Sequence, residues 1–185
     1  MLEEHIHEKK SLEQYLHHHT PSSASNLLAN DSKYKEFLVP YFSPPDEELI
    51  NWQNASFQTN PKHPEQLTQP TASGILVRSK SEALIDIILY KNKIPFRYEC
   101  ALSLRNNRIF YPDFTILHPQ SRKPYYWEHF GLMDVPSYAS KAFSKLQSYT
   151  EHGIIPGESL IVTFETKNAP LDPEYVENLV NYYFL

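Results

Sequence analysis

A chain of 185 residues with 14% aromatic residues has material for one domain with a real core plus an extension, but not for two large domains. Only 4 glycines argue against a glycine-loop nucleotide binder, and the single cysteine, Cys100, excludes an intramolecular disulfide and a thiolate metal cluster, which fits a reducing compartment. No stretch approaches the roughly 20 apolar residues that cross a bilayer and the first residues lack an apolar signal core, so the expectation is a cytoplasmic soluble protein.

The net charge of −5 is unevenly spread. Residues 1–72 carry 5 Lys+Arg against 10 Asp+Glu, residues 73–145 carry 11 against 6, and residues 146–185 carry 1 against 6. A basic middle between two acidic ends suits a polyanionic partner. An ordinary solvated surface is the plainer account of the same balance.

In chain order, residues 1–19 show helical spacing of Leu2, Ile6, Leu12 and Leu16. The run His17-His18-His19 reads as a frayed polar helix end rather than a metal site, because consecutive helical positions point different ways. Residues 20–25 have linker composition, residues 26–41 and 45–53 read as short helical pieces, and residues 59–71, rich in Pro, Gln and Thr, as an irregular arm. Residues 1–74 are therefore expected to form a helical and irregular extension, and residues 75–185 the compact domain.

That domain should open with a helix. Ser79-Lys-Ser-Glu82 has the form of a capping box, in which Glu82 reaches back to the Ser79 amide, and Leu84, Ile85, Ile88 and Leu89 supply a buried face. Residues 96–104 alternate as a half-buried strand, Asn106-Asn107 tolerate the positive φ of a tight hairpin, and residues 108–117 should return antiparallel. A third strand over 125–130 puts Tyr126, Glu128 and Phe130 on one side, and Tyr125, Trp127 and His129 on the other. Asp134-Val-Pro136 starts a helix with the apolar stripe Ala139, Ala142, Phe143, Leu146 and Tyr149. An apolar strand over 159–164 and an amphipathic helix over 172–184 complete the order α-β-β-β-α-β-α.

Two acids stand out, Asp113 on the return strand and Glu128 on the next, each among apolar or aromatic neighbours. Carboxylates are costly to bury there without a cation or hydrogen bonds, so the pair suggests a metal. Glu99, sharing a face with Arg97 and Arg105, reads as a surface ion pair rather than a third acid. Trp127, Tyr125 and Tyr126 read as core, with stacking on unpaired bases as the alternative.

The early Glu82, the motif Tyr-Pro-Asp-Phe ending on Phe114, the motif Trp-Glu-His-Phe-Gly ending on Gly131, and a late Thr-Phe-Glu-Thr together resemble the PD-(D/E)XK nuclease superfamily, in an uncharacterised bacterial branch with an R-S-K-S-E motif. The resemblance covers about half the chain, residues 78–172, and implies a restriction-endonuclease-like α-β-β-β-α-β core, an α/β or α+β fold with a mixed sheet between helices. It implies metal ligation by Asp113, Glu128, the carbonyl of His129, and Glu82 directly or through water. It also implies Mg²⁺ or Mn²⁺ as cofactor and hydrolysis of a nucleic-acid, in the first place DNA, phosphodiester by a metal-activated water. One departure matters: the superfamily's lysine falls at Phe130, which cannot orient water or stabilise a phosphorane. Lys141 is the first replacement to consider, with Lys145 and Lys80 behind it. His129 is expected on the opposite sheet face, as a core or supporting histidine rather than a general base.

Three functions follow from these readings. The first is the metal-dependent endonuclease, with a homodimer open to it. The second is a nuclease fold that binds nucleic acid or a protein partner without cutting. The third is an interaction protein that uses the acidic helical arm.

Overall fold

The computed structural model describes residues 46–105 and 108–185. The helices expected at 1–19 and 26–41, the linker between them and the Asn106-Asn107 turn lie outside the described residues. The chain divides into two units, the second running from Asp46 to Leu185, and everything below concerns that unit.

Its elements are α1 (Glu47–Asn54), β1 (Gln69–Pro70), β2 (Leu76–Val77), α2 (Lys80–Lys91), β3 (Phe96–Tyr98), β4 (Leu102–Ser103), β5 (Ile109–Phe110), β6 (Phe114–Leu117), β7 (Pro124–Phe130), α3 (Pro136–Glu151), β8 (Leu160–Phe164) and α4 (Pro173–Phe184). A four-stranded sheet has the order β3-β6-β7-β8. The pairs β3/β6 and β6/β7 are antiparallel and β7/β8 is parallel, so α3 is the crossover that a parallel pair requires. The architecture is thus a mixed α/β one with an open mixed sheet. Among the described residues no helix is long and apolar enough to cross a membrane.

Each helix starts where the chemistry of its first residues dictates. Ser79 caps α2 by accepting the Glu82 N–H at 3.1 Å, Asp172 caps α4 through the Glu174 N–H at 2.9 Å, and Pro136 opens α3 at a position where a missing N–H costs nothing. One face of the sheet buries Phe96, Phe114, Ile116, Trp127 and Ile161 against Ile85, Ile88 and Leu89 of α2 and Val176, Val180 and Phe184 of α4. The other face receives α3 through Ala142 and Tyr149. Phe143, expected in the α3 stripe, instead points to solvent at 62% exposure.

The long hairpin expected over 96–117 is interrupted. Glu99 takes a positive φ of 44°, and the ladder opens between β3/β6 and the small separate sheet β4/β5. The register is nevertheless common to both parts, since Phe96 faces Ile116 and Leu102 faces Phe110 in one unbroken count. The opening is filled from outside: the Ala101 N–H donates to the Gln58 carbonyl at 2.8 Å and the Asn60 N–H to the Glu99 carbonyl at 3.1 Å. Pro112, which has no N–H to give the ladder, sits at the same break.

Glu99 is therefore not a surface acid. It is 6% exposed and forms a bidentate pair with Arg78, at 2.8 and 2.9 Å, rather than with Arg97 or Arg105. The same guanidinium donates to the carbonyls of Lys62 and His63 at 2.7 Å each, and Asn60 Nδ2 donates to Glu99 at 2.9 Å. Arg97 meanwhile lies over the rings of Trp52 and Phe57, 4.5 and 4.8 Å from their centroids, and bonds the Trp52 carbonyl. Residues 46–74, read from the sequence as part of an extension, are thus tied to the sheet by two arginines. Replacing Arg78 with Ala leaves Glu99 buried without its cation and should cost about 3 kcal/mol in urea unfolding, with new protease cleavage within 58–68. Lys at position 78, which lacks the planar fork, should restore only part of that loss.

Candidate active site

Asp113 and Glu128 meet because of sheet register. Phe114 pairs with Trp127 and Thr115 with Tyr126, so one step back along the same count sets Asp113 opposite Glu128 on the α3 face. The His129 N–H donates to Asp113 Oδ2 at 2.7 Å. That amide is the one described donor to the Asp113 carboxyl, and Asp113 lines a pocket of about 250 Å³. The pocket walls are Asp113, Glu128, His129, Phe130, Tyr138, Lys141, Ala142 and Lys145.

Glu128 is only 1% exposed, and α3 answers its charge twice from one helical face. Lys145 places its Nζ 2.7 Å from each carboxylate oxygen, and one turn later the Tyr149 hydroxyl donates to Oε1 at 2.5 Å. Lys145, not Lys141, is thus the cation that the fold delivers to the acids. Lys141 lines the pocket rim and makes no hydrogen bond or ion pair with a described residue, while Lys80 is exposed outside the pocket. Phe130, at the position where a lysine was missing, is 4% exposed and stacks on Phe164 with ring centroids 5.7 Å apart.

Glu82 is placed differently from the sequence expectation. Its Oε2 accepts the Tyr98 hydroxyl at 2.6 Å and the Arg78 N–H at 3.0 Å, and its Oε1 accepts the Ser79 hydroxyl at 2.8 Å. It closes a capping box on the Arg78 amide rather than that of Ser79, on the α2 side of the sheet, and it lines no part of the pocket. Among the described residues no three His, Cys, Asp or Glu side chains gather as a metal ligand set. Two carboxylates and an ammonium meet instead.

His129 points to the α2 side, as alternation requires. Thr163 Oγ1 accepts the Trp127 indole N–H at 3.0 Å and lies 3.0 Å from His129 Nδ1, so the threonine's own proton is free for that nitrogen. His129 Nε2 is 3.3 Å from Glu165 Oε1 but out of hydrogen-bond alignment. Glu165 in turn accepts the Ser81 hydroxyl at 2.7 Å and the Leu171 N–H at 3.1 Å. Burial raises its pKa, but these partners outweigh burial and hold the carboxyl below the usual glutamate range. Thr163 and Glu165 belong to the late Thr-Phe-Glu-Thr motif, but the sequence alone assigns them no role; the parallel register of β7 and β8, which pairs His129 with Thr163, supplies it.

The pocket's electrostatics are dominated by one uncompensated acid. Burial first, then the charge of Glu128, push Asp113 well above the usual aspartate range; Glu82 adds to the rise, and Lys145 and the His129 amide oppose it. Burial would lower Lys145, yet Glu128 and Asp113 together exceed that effect and hold the ammonium above the ordinary lysine range. Burial and the Glu128 charge raise Tyr149 far enough to keep it a donor.

Against known proteins, the chain matches no family model, no curated protein and no solved structure. The chemistry of the pocket is accordingly read from its own residues.

An acid whose folded pKa is raised stabilises the fold below the ordinary aspartate range and loses that contribution as pH rises through the raised value. The metal-free protein should therefore lose thermal stability over that interval. Asp113→Asn should flatten this part of the profile in calorimetry and give the higher Tm above it.

Proposed function

We propose that the protein is a divalent-metal-dependent nuclease that hydrolyses nucleic-acid phosphodiester bonds, with DNA as the first substrate to test, and that its α2-β3-β6-β7-α3-β8 core is of the PD-(D/E)XK type. The observation that carries this reading is the meeting of Asp113, Glu128 and Lys145 in one open pocket. The strand order, with an antiparallel triplet and a parallel fourth strand reached through a helix, supports it.

The donor set suits a hard cation. Two carboxyl groups face one ammonium, so an ion that displaces the Asp113 proton meets a net negative site, and among the described residues only the His129 amide donates to Asp113. Mg²⁺ commonly binds through one or two carboxylates and keeps several waters, so Asp113 and Glu128 suffice to hold it or Mn²⁺, with Glu82 contributing charge from farther off. A bound ion of this kind polarises a phosphodiester and makes water a better nucleophile.

The chain's own groups do the rest. Tyr149 and the His129 amide hold the two carboxylates in place, so little reorganisation is needed when phosphate arrives. Lys145 stands where its ammonium can face a non-bridging phosphate oxygen while keeping contact with Glu128, the duty that Phe130 cannot perform. Lys141, exposed on the rim, draws the polyanion toward the acids. A binding module without turnover is favoured by one observation, the engagement of both Glu128 oxygens by Lys145 and Tyr149.

A cleavage assay with Mg²⁺ or Mn²⁺ separates the two. The nuclease reading expects metal-dependent cutting that EDTA abolishes, a fall of about 10²-fold or more for Asp113→Ala and Lys145→Ala, and a smaller loss for Lys141→Ala. It also expects Mg²⁺ to raise the Tm of the unmodified chain but not of Asp113→Asn. Nucleic-acid binding that is indifferent to metal and never leads to cutting would establish the binding module instead.

A further inference from the structure

We propose that the nucleic acid taken by this pocket is unpaired, and that Phe164 is the platform on which one of its bases stacks. This deepens the reading above and rests on it. Two of the three aromatic residues first considered for such a role, Trp127 and Tyr125, are taken up by the core. Trp127 is fully buried with its N–H on Thr163, and Tyr125 packs edge-on against Phe184 and Tyr183. Phe164 is different. It ends β8, directly paired with Phe130, and the two rings lie nearly parallel at 19° with centroids 5.7 Å apart.

The inner ring, Phe130, is buried and forms a wall of the acid pocket, whereas Phe164 is 47% exposed. The two rings lie offset in near-parallel planes, and nearly half of the Phe164 surface is open to a base. A base laid against that surface extends the aromatic layer begun by Phe130, and the pocket that Phe130 walls holds Lys141 and the acids for the neighbouring phosphate. Charge and apolar surface thus alternate as the backbone and bases of a single strand do. A duplex keeps its interior bases stacked on one another and offers a π-face only at its two ends, so a single strand presents far more bases to the ring. The substitution of phenylalanine for a lysine at position 130, costly for chemistry within the strand, gives the platform its inner layer.

The test uses the full chain, without divalent metal, binding a short labelled oligothymidylate strand or a duplex of the same length. Tighter binding of the strand is expected, with about tenfold weaker strand binding for Phe164→Ala and no change on duplex. Phe164→Leu keeps an aliphatic layer over Phe130 and controls for folding; it should bind the strand as poorly as Phe164→Ala. In Phe164→Trp the new indole emission should be quenched by the strand alone. Strand binding unchanged in both Phe164→Ala and Phe164→Leu overturns the proposal. So does an equal loss on duplex, or a dimer that Phe164→Ala dissociates while strand binding persists, which would make a second copy the ring's partner. Phe164-dependent strand binding in a protein that never cuts with Mg²⁺ or Mn²⁺ would remove the nuclease reading and leave the platform standing.

Discussion

The carboxylate of Glu128 is the constraint around which the unit is arranged. Burying it to 1% exposure is tolerable only with a cation and a proton donor in contact, and α3 supplies both, four residues apart, from the face it turns to the sheet. The crossover helix is held at a defined height by that requirement. Because Lys145 can neutralise only one charge, the second acid, Asp113, is left in excess. The site is thereby short of positive charge, and it is on this shortage that the proposed divalent ion rests.

Much of this was legible in the sequence. The capping serine of α2, the apolar run that becomes β8, and proline at the start of α3 are local signals, and the elements they announce lie within a residue or two of expectation. The pairing of Asp113 with Glu128 was also readable, because period-two alternation on neighbouring strands determines a face. The choice among lysines was not. Lys141 and Lys145 share one side of α3, and only the depth at which the helix packs decides that the second reaches Glu128 while the first stays at the rim. Glu82 was misplaced for a similar reason: its hydrogen bonds to Tyr98 and Arg78 depend on partners from β3 and the β2–α2 junction.

The break at Glu99 escaped the pattern entirely. Alternation over 96–104 is a property of side chains, and it says nothing of a backbone that turns to a positive φ in midstrand. What stabilises that turn is distant in sequence: Arg78 on one side, and residues 58–60 completing the ladder on the other. Proline, glutamine and threonine gave the segment 59–71 the look of an unstructured arm, since its order comes from hydrogen bonds exchanged with Glu99 and Arg78 rather than from apolar periodicity.

The shared register on either side of that break has a consequence for how the molecule can vary. β4/β5 continues the alignment of β3/β6 without slipping, and Phe110 of β5 sets its ring edge-on against Tyr149 with centroids 5.0 Å apart, so the outer hairpin leans on the residue that holds Glu128. Arm and hearth are mechanically joined: whatever shifts β5 is felt, one ring further in, at the place where the chain's charges meet.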